Sequence, residues 1–331
     1  MFKNKNILIT GGTGSFGKSF IRYILKNKLD FKKIIIFSRD EYKQFHLENQ
    51  IPKNNLKKFR FLLGDIRDLN RLKYAFEDVD YVIHAAALKQ VPKAEYNPYE
   101  YIKTNIVGTQ NIVEASLNSK VKKVISLSTD KASSPINLYG ATKLCADKIV
   151  TSANNIKGKK NIKLSVVRYG NVFASRGSVV PRFLNLKDNY FPVTHKDMTR
   201  FNISLQDAIK LVIWTLKYSY GGEVVVPRIP SYRLIDLVKA INSKAKIKYI
   251  GIRLGEKLHE EMISFNESRH TISLKNKYII LPEYDLNKSK KFYRKLKDYK
   301  EISKPFNYNS NQKKFLSINN LKKLVRKFQS K

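Results

Sequence analysis

The segment Thr10-Gly11-Gly12-Thr13-Gly14-Ser15-Phe16-Gly17 decides the reading of this chain. It follows a short apolar run, Asn6–Thr10, and opens a helical pattern that lasts to about Lys26. Glycine is needed where a turn is tight and where backbone must come close to a ligand, and the last glycine lets the helix pack against the strand. The first N–H groups of such a helix are free and stand at the positive end of its dipole, which suits phosphate. Glycines alone would describe any turn. Flanked by a strand and a helix, they predict a dinucleotide site built from Gly11, Thr13, Gly14, Ser15, Phe16 and Gly17.

Outward from this loop the chain alternates β-branched runs with helical patterns, the rhythm of a parallel sheet with crossover helices. Lys33–Ser38, Phe59–Leu63, Tyr81–Ala85, Val121–Ser126 and Leu164–Arg168 read as further strands, too apolar to be half exposed, with a long helix over Tyr99–Ser116. The expected fold is therefore α/β, a Rossmann-type doubly wound parallel sheet with a smaller C-terminal substrate-binding lobe. Residues 1–170 would bind the dinucleotide and carry the catalytic groups, and 171–283 would form the lobe, interleaved with the sheet. In that lobe Ser204 caps a helix to about Lys217, Leu234–Ile241 is another, and Gly251–Glu261 is a loop entering a third. Residues 284–331 turn rich in Lys, Asn and Tyr with weak periodicity, and part of them is expected to be a surface appendage.

The bulk numbers bound the partners. A hydrophobic fraction of 42% supports a sizeable core, and a single cysteine, Cys145, excludes an internal disulfide framework. No apolar run is long enough to span a membrane, and MFKNKNILIT leads straight into a strand, so a cytoplasmic protein without a signal peptide is expected. Lys and Arg number 64 against 27 Asp and Glu, a net charge of +37. That excess invites nucleic acid. Its even scatter among Asn, Ile and Tyr instead reads as a solvated surface, and no nucleic-acid-binding motif stands out. A basic surface would also draw in anionic sugar nucleotides.

The end of the second strand chooses the dinucleotide. An acidic residue there would hold a ribose 2′-hydroxyl; Ser38, Arg39 and Asp40, with Lys43 beyond, suit a 2′-phosphate better, favouring NADP over NAD. Asp65 and Ile66 follow the third strand, where Asp65 would accept from the adenine amine. Ala85 begins a run of small residues that leaves room for the cofactor.

Tyr139 and Lys143 stand four residues apart on one helical face. A nearby ammonium lowers a phenol's pKa and makes it a usable base for an alcohol proton. About 125 residues beyond the Gly-rich loop, this pair resembles the extended short-chain dehydrogenase/reductase superfamily. Just upstream, Ser128-Thr129-Asp130-Lys131 ends the fifth strand, where open α/β sheets place reactive groups. An alcohol dehydrogenase needs only the hydroxyl; Asp130 and Lys131 add a proton donor and a proton acceptor, or else a capping Asp and a solvated Lys.

The match extends through HAAALKQVPKAEYNP (84–98), KTNIVGT (103–109), STDKASSPINLYGATK (128–143), VVRYGNVFASRGSVVP (166–181), MTRF (198–201), GGEVVVPRIPS (221–231) and GIRLGEKLHEEMI (251–263). Together these resemble the inverting UDP-N-acetylglucosamine 4,6-dehydratases of pseudaminic acid synthesis and their polysaccharide-biosynthesis relatives, over about residues 4–283. Thr-Asp-Lys followed by Tyr eight residues after the Lys is the most specific part.

The resemblance implies that Tyr139 takes the 4-hydroxyl proton, Lys131 removes the C-5 hydrogen, Asp130 protonates the departing 6-hydroxyl, and Thr129 binds the 4-oxygen, all around a tightly bound NADP. Lys131 would need a depressed pKa for that role. The resemblance also implies that Lys89 meets both substrate and cofactor and that Thr104 meets the cofactor. It places Asn171, Val172, Arg176, Val179, Thr194, Arg253 and Glu256 on the sugar nucleotide. Arg200 would either pair with the diphosphate or be a structural ion-pair residue. It further implies a homo-oligomer, dimer or hexamer, and no metal. Two departures stand out: Thr194-His195-Lys196-Asp197 alters the spacing of the acid ahead of MTRF, and residues after about 284 lie outside the resemblance. Related readings remain a 4-epimerase, a non-inverting dehydratase, and, from another class, a non-catalytic NADP-binding regulator of nucleic acid.

Overall fold

The structure is a computed structural model that describes residues 2–173, 178–186 and 189–330. Its main sheet has ten strands. From one edge they are Lys300–Glu301, Thr271–Leu274, Lys277–Ile280, Val224–Pro227, Lys163–Tyr169, Lys123–Thr129, Tyr81–His84, Asn6–Thr10, Lys33–Ser38 and Phe59–Leu63. The seven from Val224–Pro227 onward are parallel, and the other three extend the sheet antiparallel. The β-branched central runs are buried on both faces, one face packing Leu8, Val82, Val124 and Val166 and the other Ile7, Ile9, Ile83, Ile125 and Val167. Strand order reverses between Asn6–Thr10 and its neighbours, so a crevice opens at the carboxyl ends of the strands.

Three short two-stranded sheets build the second layer: Thr199–Phe201 with Ser231–Arg233, Tyr190–Val193 with Lys246–Tyr249, and Glu261–Ile263 with Tyr308–Asn309. Ser204 caps the helix Leu205–Tyr218, accepting from the Asp207 N–H. Two expectations change. The segment after Gly251 enters the strand Glu261–Ile263 and then only a four-residue helix, Phe265–Ser268, because backbone pairing with Tyr308–Asn309 claims it. The helix expected over Tyr99–Ser116 contains a π-helical stretch at Ile102–Val107, which turns the Asn105 amide onto the backbone N–H and carbonyl of Leu88.

The tail is a surface layer only in part: residues 294–305 are mostly exposed, and its ends pack into the fold. Tyr293 is buried against Ile272 and Ile279, and the helix Ile318–Gln329 packs Leu321 and Val325 onto the helix Leu234–Ile241. Its apolar residues are spaced for one face, while Lys323, Arg326 and Lys327 stay outside. Among the described residues no helix is long and apolar enough to cross a membrane.

Candidate active site

The Gly-rich loop is built as its sequence demands. Gly11 has φ +64°, and a Cβ there would stand 2.9 Å from the backbone of Ala86. Gly14 caps the helix Ser15–Lys26 without a side-chain hydrogen bond, leaving the N–H groups of its first turn for a ligand. Thr13 is buried beside them, and Phe16 packs on Phe20. The Thr104 hydroxyl is buried with no hydrogen-bond partner among the described residues. Open N–H groups and a glycine-lined approach fit a dinucleotide pyrophosphate.

The residues chosen for the 2′-position divide. Ser38 accepts from the Gln44 amide at 3.0 Å. Asp40 caps the helix Glu41–Glu48 and forms an ion pair with Lys43, so Lys43 is already engaged. Arg39 is half exposed and only loosely held by Asp65, at 3.4 Å, which leaves its guanidinium the available cation. Asp65 already receives the Arg67 guanidinium at 2.7 Å and the Arg67 N–H at 3.0 Å, so its capacity for an adenine amine is largely taken. Ile66 packs against Gly108, and the Ala85 N–H donates to Thr10. Lys89 lines a second cleft together with Arg39.

Beyond the fifth and sixth strands lies a cleft of about 260 Å³. It gathers Lys131, Asn171, Val179, Arg200, Arg253 and Glu256 from widely separated segments. Arg176 lies outside the described residues. Val172 instead bridges to Ile203 through backbone, and the Thr194 hydroxyl donates to the sulfur of Met198, so neither lines the cleft. Arg200 is buried, donating to the Thr199 carbonyl at 2.7 Å and to Glu256 at 3.2 Å, which favours the ion-pair role over the diphosphate. Arg253 is exposed at the mouth and forms no ion pair with a described residue.

At the floor, Asp130 Oδ1 accepts from both the Thr129 hydroxyl and the Lys131 ammonium, each at 3.0 Å. Its other oxygen is buried without a partner among the described residues. Burial pushes the Asp130 carboxyl above the usual carboxylate range, against the pull of Lys131. Lys131 does not show the expected depressed pKa. Burial lowers it, but Asp130 on one side and Glu260 on the other, at 3.0 Å, together raise it. Tyr139 and Lys143 share the buried face of the helix Leu138–Ile156, yet the expected lowering of the phenol is also absent. Burial pushes Tyr139 up to about 12, outweighing the opposing Lys131 charge and Thr129 hydroxyl, while the Lys143 ammonium donates to the Leu127 carbonyl at 2.8 Å.

Several supporting residues escaped the sequence reading. Glu260 is one. Asp147 and Arg168 are two more: Arg168 is buried between Asp147 at 3.3 Å and Glu267 at 2.8 Å, and Ser128 donates to Asp147 at 2.7 Å. Segment 257–267 also clamps the turn after Lys131. Lys257 donates to the Ser133 carbonyl, and Ser133 and Ser134 donate to Glu261. An adjacent Glu260-Glu261 pair in a chain with 27 acids among 64 bases was the available signal.

Comparison with known proteins matches residues 7–282 to the family model described as polysaccharide biosynthesis protein. The chain belongs to that family. It is 52% identical over 289 residues to a UDP-N-acetylglucosamine 4,6-dehydratase (inverting) of Campylobacter jejuni, covering 86% of this chain and 85% of that one. It is 43% identical to a UDP-glucose 4-epimerase of Rickettsia bellii, covering 98% and 96%. The solved structure of Pen from Bacillus thuringiensis superposes with a TM-score of 0.90 at 38% identity, covering 99% of both chains. The last two matches take in the tail, which the sequence reading had left without a relative.

Proposed function

We propose that the protein is a UDP-N-acetylglucosamine 4,6-dehydratase that inverts C-5, working through a tightly held NADP. The observation that carries the reading is the hydrogen bond between Asp130 and Lys131 at the cleft floor. One proton passed along it turns an ammonium and a carboxylate into an amine and a carboxylic acid. Base and acid are then armed together. The 52% identity to the Campylobacter jejuni inverting dehydratase supports the same reading.

Gly11, Thr13, Gly14, Ser15, Phe16 and Gly17 would hold the pyrophosphate, Ser38 and Arg39 the 2′-phosphate, and Tyr139 and Lys143 the nicotinamide end. When bound, the dinucleotide supplies hydride chemistry, reversibly, between C-4 and C-6 of the sugar. Tyr139 takes the proton of the 4-hydroxyl, and Thr129 donates to the 4-oxygen. The ketone acidifies the C-5 hydrogen. Lys131 removes it as Asp130 protonates the leaving 6-hydroxyl, and reprotonation of C-5 from the opposite face inverts that centre. Asn171, Val179, Arg253 and Glu256 would line the nucleotide-sugar site, with Lys89 at its junction with the cofactor. Residues 1–170 form the cofactor half and residues 171–283 the substrate half. The enzyme would be a cytoplasmic homo-oligomer.

The test is incubation with UDP-N-acetylglucosamine, without added dinucleotide, in deuterium oxide. Mass spectrometry should show loss of water, and proton NMR should show deuterium at C-5 with inverted configuration. An unchanged substrate with cofactor still bound would sink the reading. A second reading, a 4-epimerase, is supported by the Rickettsia relatives that align along 98% of the chain. It predicts an isomer of unchanged mass in the same assay.

A further inference from the structure

Lys131 lies between two carboxylates that are not equivalent. Asp130 Oδ1 and Glu260 Oε1 each stand 3.0 Å from its Nζ. Asp130 is fully buried and has no cation besides Lys131 in contact among the described residues, whereas Glu260 lies 3.6 Å from the Arg200 Nε, with the Lys257 charge also acting on it. Glu256 occupies the far side of Arg200, and Tyr139 and Tyr232 are the phenols near Lys131. Surrounding charge thus draws Glu260 below the usual carboxylate range while burial drives Asp130 above it, which leaves Asp130 the better proton acceptor of the two carboxylates on one amine.

Glu260 is also rigidly seated. Its N–H donates to the Ser310 hydroxyl at 2.9 Å, and its carbonyl accepts from the Ser310 N–H at 2.7 Å. The Ser310 hydroxyl lies 2.7 Å from that of Thr199, which in turn meets His259 at 2.8 Å. The C-terminal segment therefore holds the backbone of a residue whose carboxylate reaches the lysine at 3.0 Å.

We propose that Glu260 is the positioning residue for Lys131: it aims the amine into the cleft and stabilises the ammonium formed as the amine takes the C-5 proton. The bonds balance simply. The C-5–H bond breaks, an N–H bond forms on Lys131, and Glu260 exchanges no proton. The carboxylate acts as a fixed counter-charge to a cation that grows in the transition state. The catalytic part of this inference rests on the dehydratase reading; the effect on Lys131 does not.

The test pairs a direct measurement with a kinetic one, on the full chain with its cofactor. Lysine labelled with carbon-13 at Cε is titrated by NMR, and the Lys131 signal is identified by its loss in Lys131→Arg. In Glu260→Gln, a near-isosteric change, the Lys131 titration should fall by about 1–3 pH units, the effect of removing one adjacent charge. Glu260→Asp, which keeps the charge, should restore most of it. With UDP-N-acetylglucosamine, Glu260→Gln should lower kcat about 10- to 100-fold with KM little changed, and move the acidic limb of kcat to lower pH. An unshifted Lys131 signal in a folded Glu260→Gln protein would overturn the proposal whether or not the substrate turns over. A shifted signal with wild-type kcat and C-5 exchange would overturn the catalytic half. Wild-type protein that leaves the substrate unchanged would instead count against the dehydratase reading alone.

Discussion

Substituting Gly17 by alanine tests the geometry on which the cofactor site depends. An ideal Cβ at Gly17 would stand 2.1 Å from the Gly12 carbonyl oxygen and 2.5 Å from its carbon. Ordinary contact begins at 3.4 Å, so the two backbones must part by about 1.3 Å, the difference between 3.4 and 2.1 Å. The obstacle is backbone on both sides, so no rotamer change relieves it. The helix Ser15–Lys26 is meanwhile pinned by Phe16, Phe20, Ile21 and Ile24 in the core. Overpacking of this kind costs about 1–3 kcal/mol, which lowers Tm by about 1.5–4 °C for a chain of this length. The same movement carries the first-turn N–H groups away from the phosphates. Losing one charge-assisted hydrogen bond costs about 1.5–3 kcal/mol, or about 10- to 100-fold in dinucleotide Kd. Gly158→Ala is the control: its φ is +58°, but a Cβ there meets nothing within 4 Å, so it should lose stability without losing cofactor. Calorimetry and isothermal titration of cofactor-stripped protein would measure both. Gly17→Ala protein with unchanged Tm and dinucleotide affinity would refute the argument.

Arg39→Ala should weaken binding of a 2′-phosphorylated dinucleotide about tenfold or more while leaving NAD affinity nearly unchanged, since the Arg39 guanidinium at the end of the second strand is half exposed and only loosely paired; titration with both dinucleotides reads this. Arg168→Met should destabilise the fold by about 3–5 kcal/mol, because it strands the buried Asp147 and leaves Glu267 short of its cation; denaturant unfolding measures it. His84 is held between the Thr10 and Thr109 hydroxyls, and burial depresses its pKa to about 3 from 6.5. Its stabilising contribution is complete above pH 6.5 and falls as pH drops through the window toward 3, by up to about 1.4 kcal/mol per pH unit. Buried Asp130, Asp147 and Glu223 have raised pKa values and act in the opposite sense. The acid loss should therefore appear as a difference between wild type and His84→Gln in unfolding curves at pH 7.5 and 5.5, and equal slopes would count against it.

What could be read without coordinates was whatever the chain writes locally. The loop at Gly11–Gly17, the pair Tyr139 and Lys143, and the Ser204 cap each need only residues within one turn or one strand end, and each is where its spacing put it. Electrostatics is not written that way. Tyr139 was expected to be acidified by Lys143, but helical spacing says nothing of the Leu127 carbonyl that engages that ammonium, or of the burial that drives the phenol up. Lys131 was expected to be neutral because its chemistry demands it. What favours its ammonium form is a second carboxylate, Glu260, which arrives from 129 positions away along the chain, the separation of 131 and 260. The packed ends of the tail were illegible for a related reason. Lys300–Glu301 and Tyr308–Asn309 are two-residue strands, too short to carry a period, and their place is fixed only by the edges they complete. Ser310, just beyond the second of them, is the residue that seats Glu260. The least periodic stretch of sequence thus supports the lysine on which the proposed chemistry turns, and a pattern-based reading has no means of finding such a residue, because its role exists only once the sheet edge has formed.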